Sequence, residues 1–206
     1  MDEKLPVLNI LRQRPVLIGM LLTGCFASMP SLLVGILLPL QLKDAMGEAG
    51  ATIYGYLNSL NGFVVIAFTP ILTILLKRFT EIPKAALGVL LYVVGIFFFS
   101  QNGAVFILFV GMFILTLGEV VTVLGINPYN SRRIPASHRG RIGGLSSVVH
   151  SIFSSLTQYL ISGILFLTGS NYWLIWMIFV SFGLFAAVLY AFMYRPDRRT
   201  FPKLYE

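Results

Sequence analysis

Charge is scarce in this 206-residue sequence: Lys, Arg, Asp and Glu together make up 11% of it. Soluble domains carry about 25%, so this chain has too few polar groups to coat a globular surface. Cysteine is nearly absent, and Cys25 alone excludes an internal disulfide or a multi-cysteine metal site. No phosphate-cradling glycine loop is present, which argues against ATP-driven work by this chain. No low-complexity tract or polar domain interrupts it, and neither a cofactor nor a metal is expected. A cleavable signal is not expected either, because the first apolar run is too long for one and reads as a retained anchor.

What the sequence has instead is hydrophobic length, with 57% apolar residues and a mean hydropathy of +0.85. A membrane span needs about 20 mostly apolar residues. Six runs qualify, near 16–41, 54–76, 84–101, 104–130, 142–168 and 171–194. Between them lie KDAMGEAGAT, KRFTEIP, QNG, NSRRIPASHRGR and TGSN, connections short enough to force antiparallel neighbours. With both termini on one side, all of the 15 Lys and Arg except Lys43 gather there, Lys4, Arg14 and Arg132 among them. That bias predicts cytoplasmic termini in a cell (inner) membrane. It also explains the sequence pI of 9.8 without nucleic acid as a partner. The expected fold is an all-α membrane protein, a single six-helix transmembrane domain over 1–206.

One ionisable group breaks the pattern. Glu119 stands mid-span in FILFVGMFILTLGEVVTVLGIN, while the other charged residues fall between spans or at the termini. A charge at membrane depth costs at least a few kcal/mol and marks a candidate functional site. A carboxyl in low dielectric favours its neutral form, so this group can load a proton on one side and release it on the other. His150 is the second candidate for proton coupling. At 1.5 Å per residue it lies roughly 14 Å from the basic face, against roughly 18 Å for Glu119, a depth that permits contact.

Two polar stripes accompany them. Ser147, Ser151, Ser154 and Gln158 recur at spacings of four, three and four on one face of the fifth span. Asn58, Asn61, Thr69 and Thr73 share a face of the second. Lipid satisfies neither stripe, so both are expected to line a wet cavity or face each other. Asn127 near the end of the fourth span joins that lining. Gly143, Gly144, Ser147 and Ser151 are small enough for close helix approach. Pro30, Pro39, Pro70 and Pro128 predict kinks, and Tyr172, Trp173 and Trp176 fit an outer aromatic belt.

The stretch GEVVTVLGINPYNSRRIPASHRGRIGGL resembles the tenth helix, loop and eleventh helix of a major facilitator superfamily transporter. Gly118-Glu119, Pro128, Pro135, Arg139-Gly140, Gly143 and Gly144 carry the likeness. Upstream, LLPLQL and GYLNSLNGFVVIAFTPILTILLKRF resemble helices seven and eight. In the family's loop motif after helix eight only Arg78 survives, with Thr73, Lys77 and Thr80 at the other places. The resemblance implies half a transporter, built as a 3+3 repeat, with solute bound against a second six-helix half. That half would be another chain or a second copy, unless the chain is a truncated piece. It implies alternating access, with membrane lipid, a small solute and protons as partners. Because the candidate cavity residues are neutral, antiport of lipophilic compounds is the first expectation. A non-transporting transmembrane domain or assembly subunit is the alternative. An intramembrane serine protease is disfavoured, since Ser146 and His150 share one helix and no second helix bears a base.

Overall fold

A chain in lipid must satisfy its peptide groups internally, and this one does so with helices. The computed structural model describes residues 7–101 and 104–205; Lys4 and residues 102–103 of the expected QNG turn lie outside them. The helices are α1 (Val7–Gln13), α2 (Pro15–Met46), α3 (Glu48–Leu75), α4 (Glu81–Ser100), α5 (Val105–Arg133), α6 (Arg139–Thr168) and α7 (Tyr172–Thr200). Short 3-10 turns cover Ala136–His138 and Pro202–Leu204, and no strand occurs among the described residues. Six helices, α2 to α7, are long and apolar enough to cross a membrane.

The boundaries follow local chemistry. Pro15 opens α2, where a missing N–H costs nothing. Asn171 caps α7 by accepting the Leu174 N–H at 3.1 Å, and Gly169 closes α6 in a left-handed conformation, φ 60°. The polar stretch KDAMGEAGAT is not the loop its composition predicts. Its Lys, Asp, Ala, Met and Glu residues are all compatible with a helix. Gly47 alone breaks the run, at φ 59° and ψ −134°, a region that side chains rarely enter. Helices α2 and α3 are thus joined through a single residue.

Helix α4 packs between α5 and α7, α7 also packs on α2, α3 leans on α5 and α2, and α6 rests mainly on α2. Exchanging the triplet α2–α4 for α5–α7 maps the α4–α5 packing onto α7–α2 and the α3–α5 packing onto α6–α2, as a 3+3 repeat requires. The α2–α3 packing, by contrast, has no comparable α5–α6 counterpart among the described residues. The middle helix of each triplet is the outlying one. Only 11% of the α3 and α6 spans is buried, against 39–50% for the other four.

The tightest seam joins α4 to α5 through Gly88 and Gly95 on one side and Gly111, Gly118 and Gly125 on the other. A Cβ on Gly118 would lie 2.6 Å from the Gly88 carbonyl oxygen, and one on Gly125 2.7 Å from that of Glu81. Backbones meet here because only glycine is present. The close approach expected at Gly143 and Gly144 does not occur: a Cβ added to either would meet no neighbouring element within 4 Å. Their helix faces outward instead.

Core side chains fill the bundle in two clusters. Toward one end Leu37, Leu38, Phe99, Trp176 and Phe179 pack together. Trp176 is fully buried there and donates to Gln41 Oε1 at 2.6 Å, so it is not part of an interfacial belt. Trp173 is exposed as that belt requires. Toward the other end Val16, Met20, Ile82, Ala85 and Tyr190 form the second cluster.

Candidate functional site

Glu119 lies on α5 one turn beyond Thr116, and both face α3. Asn61 Nδ2 donates to Thr116 Oγ1 at 2.9 Å and to Glu119 Oε2 at 3.1 Å, tying α3 to α5. Thr116 passes its own proton to Met112 O at 2.7 Å, which fixes its oxygen as the acceptor. The carboxylate is half-buried. The contact between Glu119 and His150 that their depths permit does not form. His150 instead faces Ser28 of α2, Nδ1 to Oγ 3.4 Å. The two helices bearing Glu119 and His150 are consecutive in sequence, but α6 packs on α2, not on α5.

Beside this pair lies a cavity of about 560 Å³, lined by α2, α5 and α6 and floored by Tyr92 and Tyr190. Among the residues singled out by sequence, Asn127, Ser147, His150 and Ser151 line it. Ser28 and Ser31 line it too, though no stripe on the first span identified them. Asn58, Asn61, Thr69, Ser154 and Gln158 do not line it. Asn58 bonds to Tyr54 O at 3.1 Å and Thr69 to Val65 O at 2.5 Å, so both satisfy themselves within α3. Ser147 likewise bonds back to Gly143 O at 3.0 Å. Arg139 closes the end of α5, donating to Ile134 O at 3.2 Å and to Ser131 O. Arg78 and Gly140 are exposed.

Sequence reasoning missed a second polar centre at the basic end of the bundle. Arg133 holds Asp197 through Nε at 2.9 Å to both oxygens and Nη2 at 2.6 Å. Glu81 sits 3.3 Å from the same guanidinium and takes Arg132 at 2.6 Å. Tyr129 OH donates to Asp197 Oδ1 at 3.0 Å while its ring lies 4.0 Å under the guanidinium. Tyr205 OH donates to Asp197 Oδ2 at 2.5 Å. Burial first, and that hydrogen bond second, push the Tyr205 phenol well above its usual range. Arg133, Asp197 and Glu81 are 1%, 0% and 4% exposed, so Glu119 is not the one charged group removed from water. The arrangement is a lock between α4, α5, α7 and the segment after α7.

No group of three or more His, Cys, Asp or Glu able to hold a metal occurs among the described residues. No curated protein matches the chain. A family model described as Major Facilitator Superfamily matches residues 2–158, more than half of the chain, leaving α7 outside the match.

Proposed function

Because the chain belongs to the Major Facilitator Superfamily, whose members are transporters, we propose that it is one half of a secondary active carrier. The assembled carrier moves a small, uncharged or lipophilic solute by alternating access and couples that movement to protons through Glu119. It works as an antiporter in the cell membrane, with both termini cytoplasmic, and its mode is efflux. The observation that carries the coupling role is the Asn61–Glu119 bond at mid-span. An ionised carboxylate accepts a charge-assisted hydrogen bond roughly twice as strong as a neutral one. Protonation of Glu119 therefore weakens the tie between α3 and α5, and only 11% of the α3 span is buried inside the bundle. His150 is the second proton-binding group, and Asn127, Ser147 and Ser151 meet the solute from the cavity wall. Asn58, Thr69, Ser154 and Gln158 face the second half rather than this cavity. Arg78, Arg139 and Gly140 form the loop elements, with Arg139 steadying the end of α5.

A second six-helix half covers α3 and α6. Large apolar side chains such as Ile66, Tyr159 and Phe166 stand 78–88% exposed on those two helices and support that pairing. The test is uptake of an uncharged lipophilic dye into vesicles against its gradient, driven by an imposed pH difference. Wild type accumulates the dye, whereas Glu119→Gln still equilibrates it but loses the proton-driven excess. Full uphill transport by Glu119→Gln ends the coupling role. A non-transporting assembly subunit would show no dye movement in either form.

A further inference from the structure

The cavity between α2, α5 and α6 runs inward to two hydroxyls that, among the described residues, have no hydrogen-bond partner: Tyr190 Oη on α7 and Thr122 Oγ1 on α5. Tyr190 is fully buried, and its oxygen lies 4.0 Å from where a Cβ on Gly24 would be. Other phenols in the molecule do not behave this way. Those of Tyr129, Tyr172 and Tyr205 each reach a carboxylate. A buried hydroxyl without a partner is a standing penalty unless a ligand or solvent supplies the missing bond. The wall beside Tyr190 is apolar, with Leu17, Met20 and Ile126, and carries no Asp, Glu, Lys or Arg.

We propose that this chamber is a binding site, contained within the one six-helix unit, for an uncharged amphiphile: an apolar body bearing a hydroxyl or carbonyl that pairs with Tyr190 Oη. The volume of about 560 Å³ holds such a molecule. A charged head of the same shape finds no counter-ion in the wall and is rejected by its desolvation. The proposal rests on the transport reading and deepens it, since Asn127, Ser147, His150 and Ser151 line this same chamber, whereas Glu119 does not.

Cys25 makes the chamber readable. It is the sole cysteine, and it lines the same cavity as Tyr190. The experiment follows alkylation of Cys25 by N-ethylmaleimide in the full chain in its membrane. Three probes of one shape compete: 1-adamantanemethanol, 1-adamantanecarboxylate and 1-adamantanemethylammonium. The alcohol is expected to slow alkylation in proportion to its occupancy, and the two ions to leave it unchanged. Tyr190→Phe removes only the unpaired oxygen, so its thermal unfolding stays the same or rises. Its half-protecting alcohol concentration rises about tenfold, the equivalent of one lost hydrogen bond. Equal protection of wild type and Tyr190→Phe overturns the proposal, as does equal protection by alcohol and ions. A Cys25 that reacts only after unfolding in dodecyl sulfate overturns it as well, because the chamber is then closed to small neutral molecules. Loss of proton coupling in Glu119→Gln leaves the protection intact, which keeps failure of this site distinct from failure of the transport reading.

Discussion

Arg133 and Asp197 share three contacts of 2.6 to 2.9 Å, and neither side chain reaches solvent. A buried ion pair of this kind adds little net stability over an apolar pair of similar volume, but losing one partner strands a charge. Asp197→Ala is therefore expected to destabilise the protein by about 3–5 kcal/mol, read as a lower midpoint of thermal unfolding in detergent. The double change Arg133→Met with Asp197→Leu should recover most of that loss, because neither partner is left stranded and Glu81 keeps its bond to Arg132 at 2.6 Å. Glu81 and Asp197 were in view from the start as the lone acids of KRFTEIPK and YRPDRR. Counting loop charges treats each as solvated, and nothing in one sequence says which acid turns inward to meet which base. Glu119 stood out because uncharged residues surround it for more than a turn on either side. Its partner did not: Asn61 looks like any other member of its stripe, and which α3 residue meets α5 depends on how the two helices cross.

The seam between α4 and α5 turns on glycine spacing. Gly111, Gly118 and Gly125 are seven residues apart, as are Gly88 and Gly95, and two turns of helix return each to the same face. Gly118→Ala would bring a methyl within 2.6 Å of the Gly88 carbonyl and 2.8 Å of the Tyr92 nitrogen, both backbone atoms that cannot swing aside. The helices must part, at about 1–3 kcal/mol. Gly143→Ala meets nothing within 4 Å and should be neutral or stabilising by up to about 1 kcal/mol, through helix propensity alone. Thermal unfolding of the two variants side by side checks this. Small residues flag where helices can approach, but they do not say whether a neighbour comes. The sevenfold spacing was the stronger signal, and it was present in the sequence. The number of spans was legible, since span length is set by the bilayer, but the helices run past the apolar stretches: α3 begins at Glu48 rather than near 54 and α7 ends at Thr200 rather than near 194. The Gly47 junction was not, because a polar composition suits an exposed helix turn as well as a loop.

At the scale of the molecule, four helices close on one another and two stay open. Helices α3 and α6 keep most of their span surface uncovered, and that surface includes both polar and large apolar groups. Native mass spectrometry after gentle extraction should therefore find a species heavier than the 22.9 kDa chain. A homodimer would appear at 45.8 kDa, twice that mass. A lone 22.9 kDa species would remove the support for pairing through these faces. The triplet architecture was legible through the family resemblance, whereas the cavity was only half legible. Ser147 and Ser151 announced themselves by period on α6. Tyr190 sits in an apolar run where a tyrosine reads as bulk, and only the packing of α7 behind α2 brings its hydroxyl to the cavity floor.

The lock around Arg133 also imposes an order on assembly. Asp197 is made 64 residues after Arg133, an interval of roughly 3–13 s at ordinary rates of synthesis. During that time the arginine has Glu81 already available but not its strongest partner. Helix α5 cannot draw its basic end inward until α7 has entered the membrane and delivered the aspartate. The aspartate thus serves as a completion mark: a nascent chain stalled before it has an arginine with Glu81 as its acidic partner, and a finished one holds that arginine from two sides.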